Sequence, residues 1–162
     1  MYTYEYPVDA LIWEMKFRQR PEIAYALAQK LYSRQVEHPG SRPDVIIPVP
    51  LHKRRMMQRG YNQALELSRA INKYSGIPID GRSCRRVRHT APQITLPAKQ
   101  RKTNVRGVFE ISGPIDYRYA VIVDDVITTY STVNEIASLL IRAGVKRVCV
   151  WALARAGFNK TN

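Results

Sequence analysis

Acidic residues are scarce in this chain. Thirteen Asp and Glu face 26 Lys and Arg, which leaves a formal charge of +13 over 162 residues. Against the plainer reading that this excess serves solubility, the basic residues cluster rather than scatter, which favours a field built for an anion. A polyanionic partner follows: nucleic acid, a pyrophosphate-bearing substrate, or both. Cysteine is scarcer still. Cys84 and Cys149 are too few and too isolated for a disulfide framework or a metal site. Each lies in an apolar, strand-like run, so both read as reduced core thiols, consistent with a cytoplasmic protein. No apolar run approaches the length of a membrane span, and the basic, Tyr-rich start has no signal-peptide core, so no membrane insertion is expected. Internal repeats and low-complexity segments are also lacking. What is present is an apolar fraction of 45% in a chain of single-domain size, enough to bury a sizeable core.

Periodicity divides that chain into alternating elements. Val8 to Phe17 reads as a short amphipathic helix with Val8, Leu11, Ile12 and Met15 on one stripe. Pro21 opens a second helix to about Val36, with Ile23, Ala24, Leu27, Ala28 and Leu31 on its apolar stripe. Asp44 to Pro50 is a short buried strand stopped by prolines, and Leu51 to Met57 a basic loop or helical turn. Asn62 to Tyr74 is a helix closed by Gly76. Strands are expected at Cys84 to Val87 and Val108 to Ile111, with a charged loop or one-turn helix at Pro97 to Asn104. Strand Ala120 to Val123, helix Val133 to Ala143 and strand Arg147 to Leu153 make a βαβ unit. Continuous apolar strands alternating with helices predict a mainly parallel sheet covered on both faces. Its ligand crevice should lie at the carboxyl ends of the strands, where the segments after Ile47 and Val123 open.

The run from Val121 to Thr132 carries the most information. Val121, Ile122 and Val123 lead into Asp124 and Asp125, then a hydroxyl-rich turn, then the helix. A buried strand that turns into a helix offers free backbone N–H groups to an anion. Two carboxylates beside that turn can accept hydrogen bonds from vicinal hydroxyls or hold a hydrated Mg²⁺. Together they describe a pocket for a phosphorylated ribose. The bland alternative, a helix N-capped by Thr129 or Ser131, leaves the paired acids unexplained.

This segment resembles the phosphoribosyl-pyrophosphate (PRPP) signature of type I phosphoribosyltransferases. Other features appear in the order seen in the ComF/GntX family: Leu11-Ile12-Trp13 with Lys16-Phe17, Pro48-Val49-Pro50-Leu51-His52, Arg59-Gly60-Tyr61-Asn62-Gln63-Ala64, Thr90 with Gln93, Arg101 with Asn104, and Leu153-Ala154-Arg155. The resemblance covers nearly the whole chain. It implies a type I phosphoribosyltransferase fold in one domain, with an N-terminal helical hood over residues 1–42 and an α/β core over 43–162. It also implies a link to natural competence, the uptake of DNA for transformation. Asp124 and Asp125 would be the catalytic pair, binding the ribose 2′- and 3′-hydroxyls. Thr128, Thr129, Tyr130, Ser131 and Thr132 would cradle the 5′-phosphate, and Mg²⁺ would accompany PRPP. Tyr130 stands where the family has glycine. Its ring either crowds the phosphate or points outward and leaves the N–H groups usable.

The resemblance assigns pyrophosphate to the loop from Pro48 to Gln63. His52, Lys53, Arg54, Arg55 and Arg59 supply potential cations there, and Gly60 permits close backbone approach. Arg59 and Gly60 carry the family pattern, with Lys53 and Arg54 beside them. His52 is expected to cap or pack rather than titrate in catalysis. Residues Arg82 to Arg106 hold Arg85, Arg86, Arg88, Lys99 and Lys102. In phosphoribosyltransferases a loop here closes over PRPP, and Gln93, Arg101 and Asn104 match it. The same cations could instead clasp single-stranded DNA. Trp13 and Phe17, four apart on one helix, are expected in the core rather than stacked on a base.

Two functions follow from different classes. One is a Mg²⁺-dependent phosphoribosyltransferase whose acceptor no residue identifies; the other is a single-stranded-DNA-binding competence factor that uses the same fold. A third is a scaffold for other DNA-uptake proteins. ComF relatives commonly carry a cysteine-held zinc module ahead of the region matching Tyr4 to Phe17. This chain has no Cys-x-x-Cys pair, so no zinc is expected. The fold implies dimers as a common state.

Overall fold

A computed structural model of the chain describes residues 1–18, 20–36, 42–88 and 107–157. Gln93, Lys99, Arg101, Lys102 and Asn104 lie outside the described residues.

A four-stranded, all-parallel sheet is ordered β1-β6-β5-β2, formed by β1 (Tyr2–Thr3), β2 (Val45–Pro48), β5 (Tyr119–Ile127) and β6 (Arg147–Arg155). A separate antiparallel ribbon joins β3 (Cys84–Arg86) to β4 (Phe109–Ile111). The helices are α1 (Val8–Phe17), α2 (Pro21–Val36), α3 (Lys53–Arg59), α4 (Gln63–Ser75) and α5 (Ser131–Arg142).

Alternation along the strands sends side chains to two cores, as a twofold side-chain period requires. Ile46, Val121, Val123, Trp151 and Leu153 face α1, α2 and α4, where Ile12, Met15, Leu27, Leu31, Leu67 and Ile71 are buried. Val45, Ile47, Ala120, Ile122 and Ala152 face the other way, onto Val133, Ile136 and Leu140 of α5 and Phe109 of the ribbon. The mainly parallel sheet with helices on both faces is therefore present as the alternating pattern predicts. α2 belongs to this layer: its Ala24, Leu27, Ala28 and Leu31 sit in the same core as the central strand.

Several boundaries differ from the sequence reading for physical reasons. β5 does not stop at Val123. Its last residues keep pairing with β6, Val126 opposite Ala154 and Ile127 opposite Arg155, so both acids are part of the strand. α3 is a seven-residue helix in which no residue is buried, and it therefore has no apolar stripe to betray it. β1 is two residues long, too short for periodicity. Gly76 ends α4 at a φ of 65°, its N–H donating to the Asn72 carbonyl, as expected of a left-handed cap.

Polar side chains fix the strand starts and turns. Asp44 accepts from the N–H groups of Arg118 and Tyr119 at 2.9 and 2.8 Å, tying the start of β2 to that of β5. Asp80 accepts from the N–H groups of Arg82 and Ser83, both at 2.9 Å, folding the turn that leads into β3. Among the described residues no helix is long and apolar enough to cross a membrane.

Candidate functional site

The acids stand where the sheet opens. β2 ends at Pro48, opposite Val123, and Val49 makes one more bond, its N–H donating to the Val123 carbonyl at 2.9 Å. Beyond that point β5 continues with β6 on one side only. Its next two N–H groups turn to the local carboxylates: that of Asp125 donates to Asp124 Oδ1 at 2.9 Å, and that of Val126 to Asp125 Oδ1 at 2.6 Å. Both side chains are thereby held at the carboxyl edge of the sheet, the position where parallel α/β sheets bind ligands.

Their electrostatics are set by elements distant in sequence. Lys16, in the last turn of α1, places Nζ 3.0 Å from Asp125 Oδ2, with both side chains mostly covered. Burial raises the Asp124 carboxyl well above the ordinary carboxylate range, towards neutrality, and the adjacent Asp125 charge adds to the effect. Lys16 and Arg86 oppose it from across the site. Arg86 is itself shifted. Burial draws its guanidinium down to about 10, the like charge of Arg55 adds, and Asp124 opposes. Burial likewise lowers Arg55, with Arg59 contributing, and raises the Tyr61 hydroxyl, to which Asp125 adds. Lys16 and Arg86 thus act on the carboxylate pair, while Arg55 acts on Arg86 and Arg59 on Tyr61.

The residues that the resemblance assigns to the 5′-phosphate follow directly. Thr128 and Thr129 lead from the strand, and α5 begins at Ser131. Thr129 Oγ1 and Ser131 Oγ are hydrogen-bonded to each other at 3.1 Å, and either hydroxyl can be the donor. The N-cap position falls on Tyr130, which supplies no side-chain cap bond, so neither Thr129 nor Ser131 is the capping residue of the bland alternative. Tyr130 has φ −68° and ψ 7°, a right-handed conformation that any residue adopts. Glycine is not required at this backbone position. The tyrosine ring is 37% exposed and rests against the Arg155 guanidinium at the end of β6, 5.1 Å from centroid to carbon.

The residues that the resemblance assigns to pyrophosphate separate into two groups. Arg59 reaches towards the site, with Nη1 3.5 Å from Gln63 Oε1 and its guanidinium carbon 5.9 Å from the Phe17 ring centroid. Lys53 and Arg54 lie exposed in the first turn of α3, while Arg55, next in sequence, is half-buried towards Arg59 and Arg86. Gly60 closes α3 at a φ of 78°, its N–H donating to the Met56 carbonyl, which accounts for a glycine there by backbone geometry alone. His52 is the N-cap of that helix, with Nδ1 accepting from the Arg54 N–H at 3.2 Å, as expected of a capping histidine. Asn62 joins the two motif segments. Its Nδ2 donates to the Val49 carbonyl and its Oδ1 accepts from the Ala64 N–H, both at 3.0 Å.

Arg85, on the ribbon, and Arg88, two residues past the end of β3, are exposed, whereas Arg86 is half-buried, its guanidinium carbon 5.5 Å from the Phe109 ring centroid and its charge acting on Asp124. Strand alternation could have separated Arg86 from Arg85 in the sequence. Lys16 was visible only as a family match. Its role comes from a contact between α1 and β5 that no local pattern encodes.

Trp13 and Phe17 overturn the core expectation. They are 48% and 58% exposed, because Ile12 and Met15 take the buried stripe of α1.

Mg²⁺ was expected with the substrate. Among the described residues no group of three or more His, Cys, Asp or Glu is placed to hold a metal alone. The donor set, two carboxylates of which one is already paired to Lys16, fits a Mg²⁺ that keeps its waters and arrives with substrate phosphates.

No family model matches the chain. Among solved structures it is similar to a purine phosphoribosyltransferase from Pyrococcus horikoshii, with 23% identity, a TM-score of 0.44 and coverage of 86% of this chain and 73% of that one. It is also similar to a hypoxanthine phosphoribosyltransferase from Staphylococcus aureus, with 16% identity, a TM-score of 0.48 and coverage of 86% and 69%. The sequence relatives are far nearer. Competence protein F of Haemophilus influenzae is 41% identical over 157 residues, which span 93% of this chain and 69% of the relative. The DNA utilization protein YhgH of Salmonella typhi is 42% identical over 156 residues, spanning 94% and 69%. YhgH of Escherichia coli K12 is 41% identical over 157 residues, with the same coverage. At that identity and coverage, the chain belongs to the ComF/GntX family, the family of competence protein F and YhgH.

Proposed function

We propose that this protein binds PRPP with Mg²⁺ at the carboxyl edge of β5 and is a phosphoribosyltransferase-type member of the competence family. The observation that carries the reading is the pair Asp124 and Asp125, held by their own strand's N–H groups at the open edge of the sheet. Vicinal ribose hydroxyls donate to carboxylates, and this pair presents two at adjacent positions. The loop from Thr128 to Thr132 leads to an N-cap residue that gives no side-chain bond, which suits a 5′-phosphate at the helix start. Arg55, Arg59 and Arg86 supply the charge that pyrophosphate needs. Mg²⁺, when bound, would be held by Asp124 and Asp125 and would supply positive charge to the pyrophosphate.

In this reading Asp124 and Asp125 orient the ribose, Lys16 keeps one carboxylate compensated, and the guanidiniums draw charge from the departing pyrophosphate. The names of the relatives suggest that the activity serves the uptake or use of DNA. Thermal denaturation tests the binding. PRPP with Mg²⁺ should raise the melting temperature of the native chain and leave that of Asp124→Asn/Asp125→Asn unmoved. An equal rise in both proteins would remove the acid pair from the site.

A second reading has its own observation. Arg85 on the antiparallel ribbon and Arg88 just past it are exposed on a chain of charge +13, a surface suited to single-stranded DNA. Oligonucleotide affinity that falls steeply with salt and weakens in Arg85→Ala/Arg88→Ala would support it. Affinity indifferent to both would dismiss it.

A further inference from the structure

Both oxygens of Asp125 are already engaged. Its Oδ1 accepts from the Val126 N–H at 2.6 Å, and its Oδ2 meets Lys16 Nζ at 3.0 Å. A fixed element presents that ammonium. Ile12 and Met15 of α1 are fully buried in the core shared with Val121 and Val123, and Lys16 is the residue after Met15. Glu14, an acid in the same turn, is paired with Arg18 at 3.4 Å and does not draw the lysine away. Lys16 is nonetheless free to move. Its side chain is 20% exposed, which leaves a route to water. It also stands in the last turn of α1, where the negative end of the helix dipole favours a cation that has let go of its partner.

A resident ammonium changes what the acid pair offers to a metal. A free, hydrated divalent ion that approaches Asp125 must displace a unit charge already at contact distance. It must do so in the field of Arg86, whose charge acts on Asp124. A metal chelated by pyrophosphate on a phosphorylated ribose carries net negative charge, and the same cations attract it. The two forms of one ion therefore meet opposite receptions at the same carboxylates.

We propose that Lys16 selects the form in which metal enters: it is a tethered counter-cation that keeps free divalent ions off Asp125 and yields to a metal carried on a phosphorylated ribose. The second half of the inference rests on the phosphoribosyl reading, whereas the first concerns Lys16 and the acid pair alone. Lys16 is a positioning residue here. It acts through Asp125 and needs no contact of its own with the ligand.

Calorimetric titration of the whole chain separates the two halves. With Mg²⁺ alone, Lys16→Met and Lys16→Gln should each bind about tenfold more tightly than the native chain or better, because the lysine-free form no longer has to be selected. Lys16→Arg should restore the weak native binding, and adding Asp125→Asn to Lys16→Met should remove the gain. Lost packing would not raise metal affinity in this pattern, and the melting temperature of each variant checks that it is folded. With PRPP and Mg²⁺ together, Lys16→Met should bind at least as tightly as the native chain. Equal affinity of native chain and Lys16→Met for Mg²⁺ alone would overturn the proposal while leaving the phosphoribosyl reading standing. Weaker binding of PRPP with Mg²⁺ by Lys16→Met would make the lysine a phosphate contact and overturn it as well. PRPP bound by none of these proteins would bring down the phosphoribosyl reading and the selection together.

Discussion

Lys16 and Asp125 form the contact on which the site's charge balance turns. With their side chains 20% and 13% exposed, neither charge is fully hydrated, and each depends on the other. Replacing Lys16 with Met should cost about 1–3 kcal/mol at neutral pH, read by urea denaturation. A loss within a few tenths would show that water serves Asp125 as well as the lysine does. Asp124 gives the opposite sign. Its carboxyl is raised in the folded chain, so its contribution to stability is present below the unfolded value and is lost as pH rises through the folded value. Asp124→Asn should therefore stabilise the ligand-free protein at neutral pH and above, by on the order of 1 kcal/mol, and flatten the fall in melting temperature as pH rises from the acidic range to neutrality. A steeper fall in the variant would contradict the shift. The thiols make a third case. Burial pushes Cys84 up to about 12 and also raises Cys149, so neither should alkylate readily at pH 8 in the native chain. Of these residues, the acid pair was legible because two adjacent carboxylates after an apolar strand are locally odd. Lys16 and Arg86 were not legible as its partners, since a side chain's partner across the fold leaves no periodic trace.

At the level of elements, β5 with its loop and α5 does the positioning. Ile136 and Leu140 are fully buried beneath the sheet, and either change to Ala should cost about 2–5 kcal/mol and slacken the loop they anchor. Asn62 works at another junction, capping α4 while holding the carbonyl of Val49 just past the end of β2. Asn62→Ala should cost about 1–3 kcal/mol, by losing a cap and leaving that carbonyl unpaired. Denaturant midpoints measure each change. The strand and helix periods of β2, β5, α2 and α5 were readable because each buries one face or both. α3 was half-hidden, since a helix with no buried residue shows only charge. The true length of β5 was hidden as well. Its polar end pairs only with β6, and the sequence offers an acid where the strand continues rather than a stop signal.

At the scale of the whole molecule, parallel strands gather residues from distant parts of the chain at one edge. Lys16 of α1 and Asp125 of β5 are in contact there, and Arg59 of α3 and Arg86 of β3 act through their charges on Tyr61 and Asp124. This gathering gives the +13 charge a focus, and PRPP affinity should weaken as salt screens the surrounding cations. Tyr130, in the loop proposed to hold the 5′-phosphate, bears on the whole account, because the family's glycine suggests that a bulky residue would close the site. Its ordinary φ and its seat against Arg155 say otherwise. Calorimetric titration of PRPP with Mg²⁺ into the native chain, Tyr130→Gly and Asp124→Asn/Asp125→Asn decides the matter. Binding by the first two at similar affinity, and its loss in the third, is the predicted result. Binding only by Tyr130→Gly, or none by any of the three, would contradict a live phosphoribosyl site in this protein.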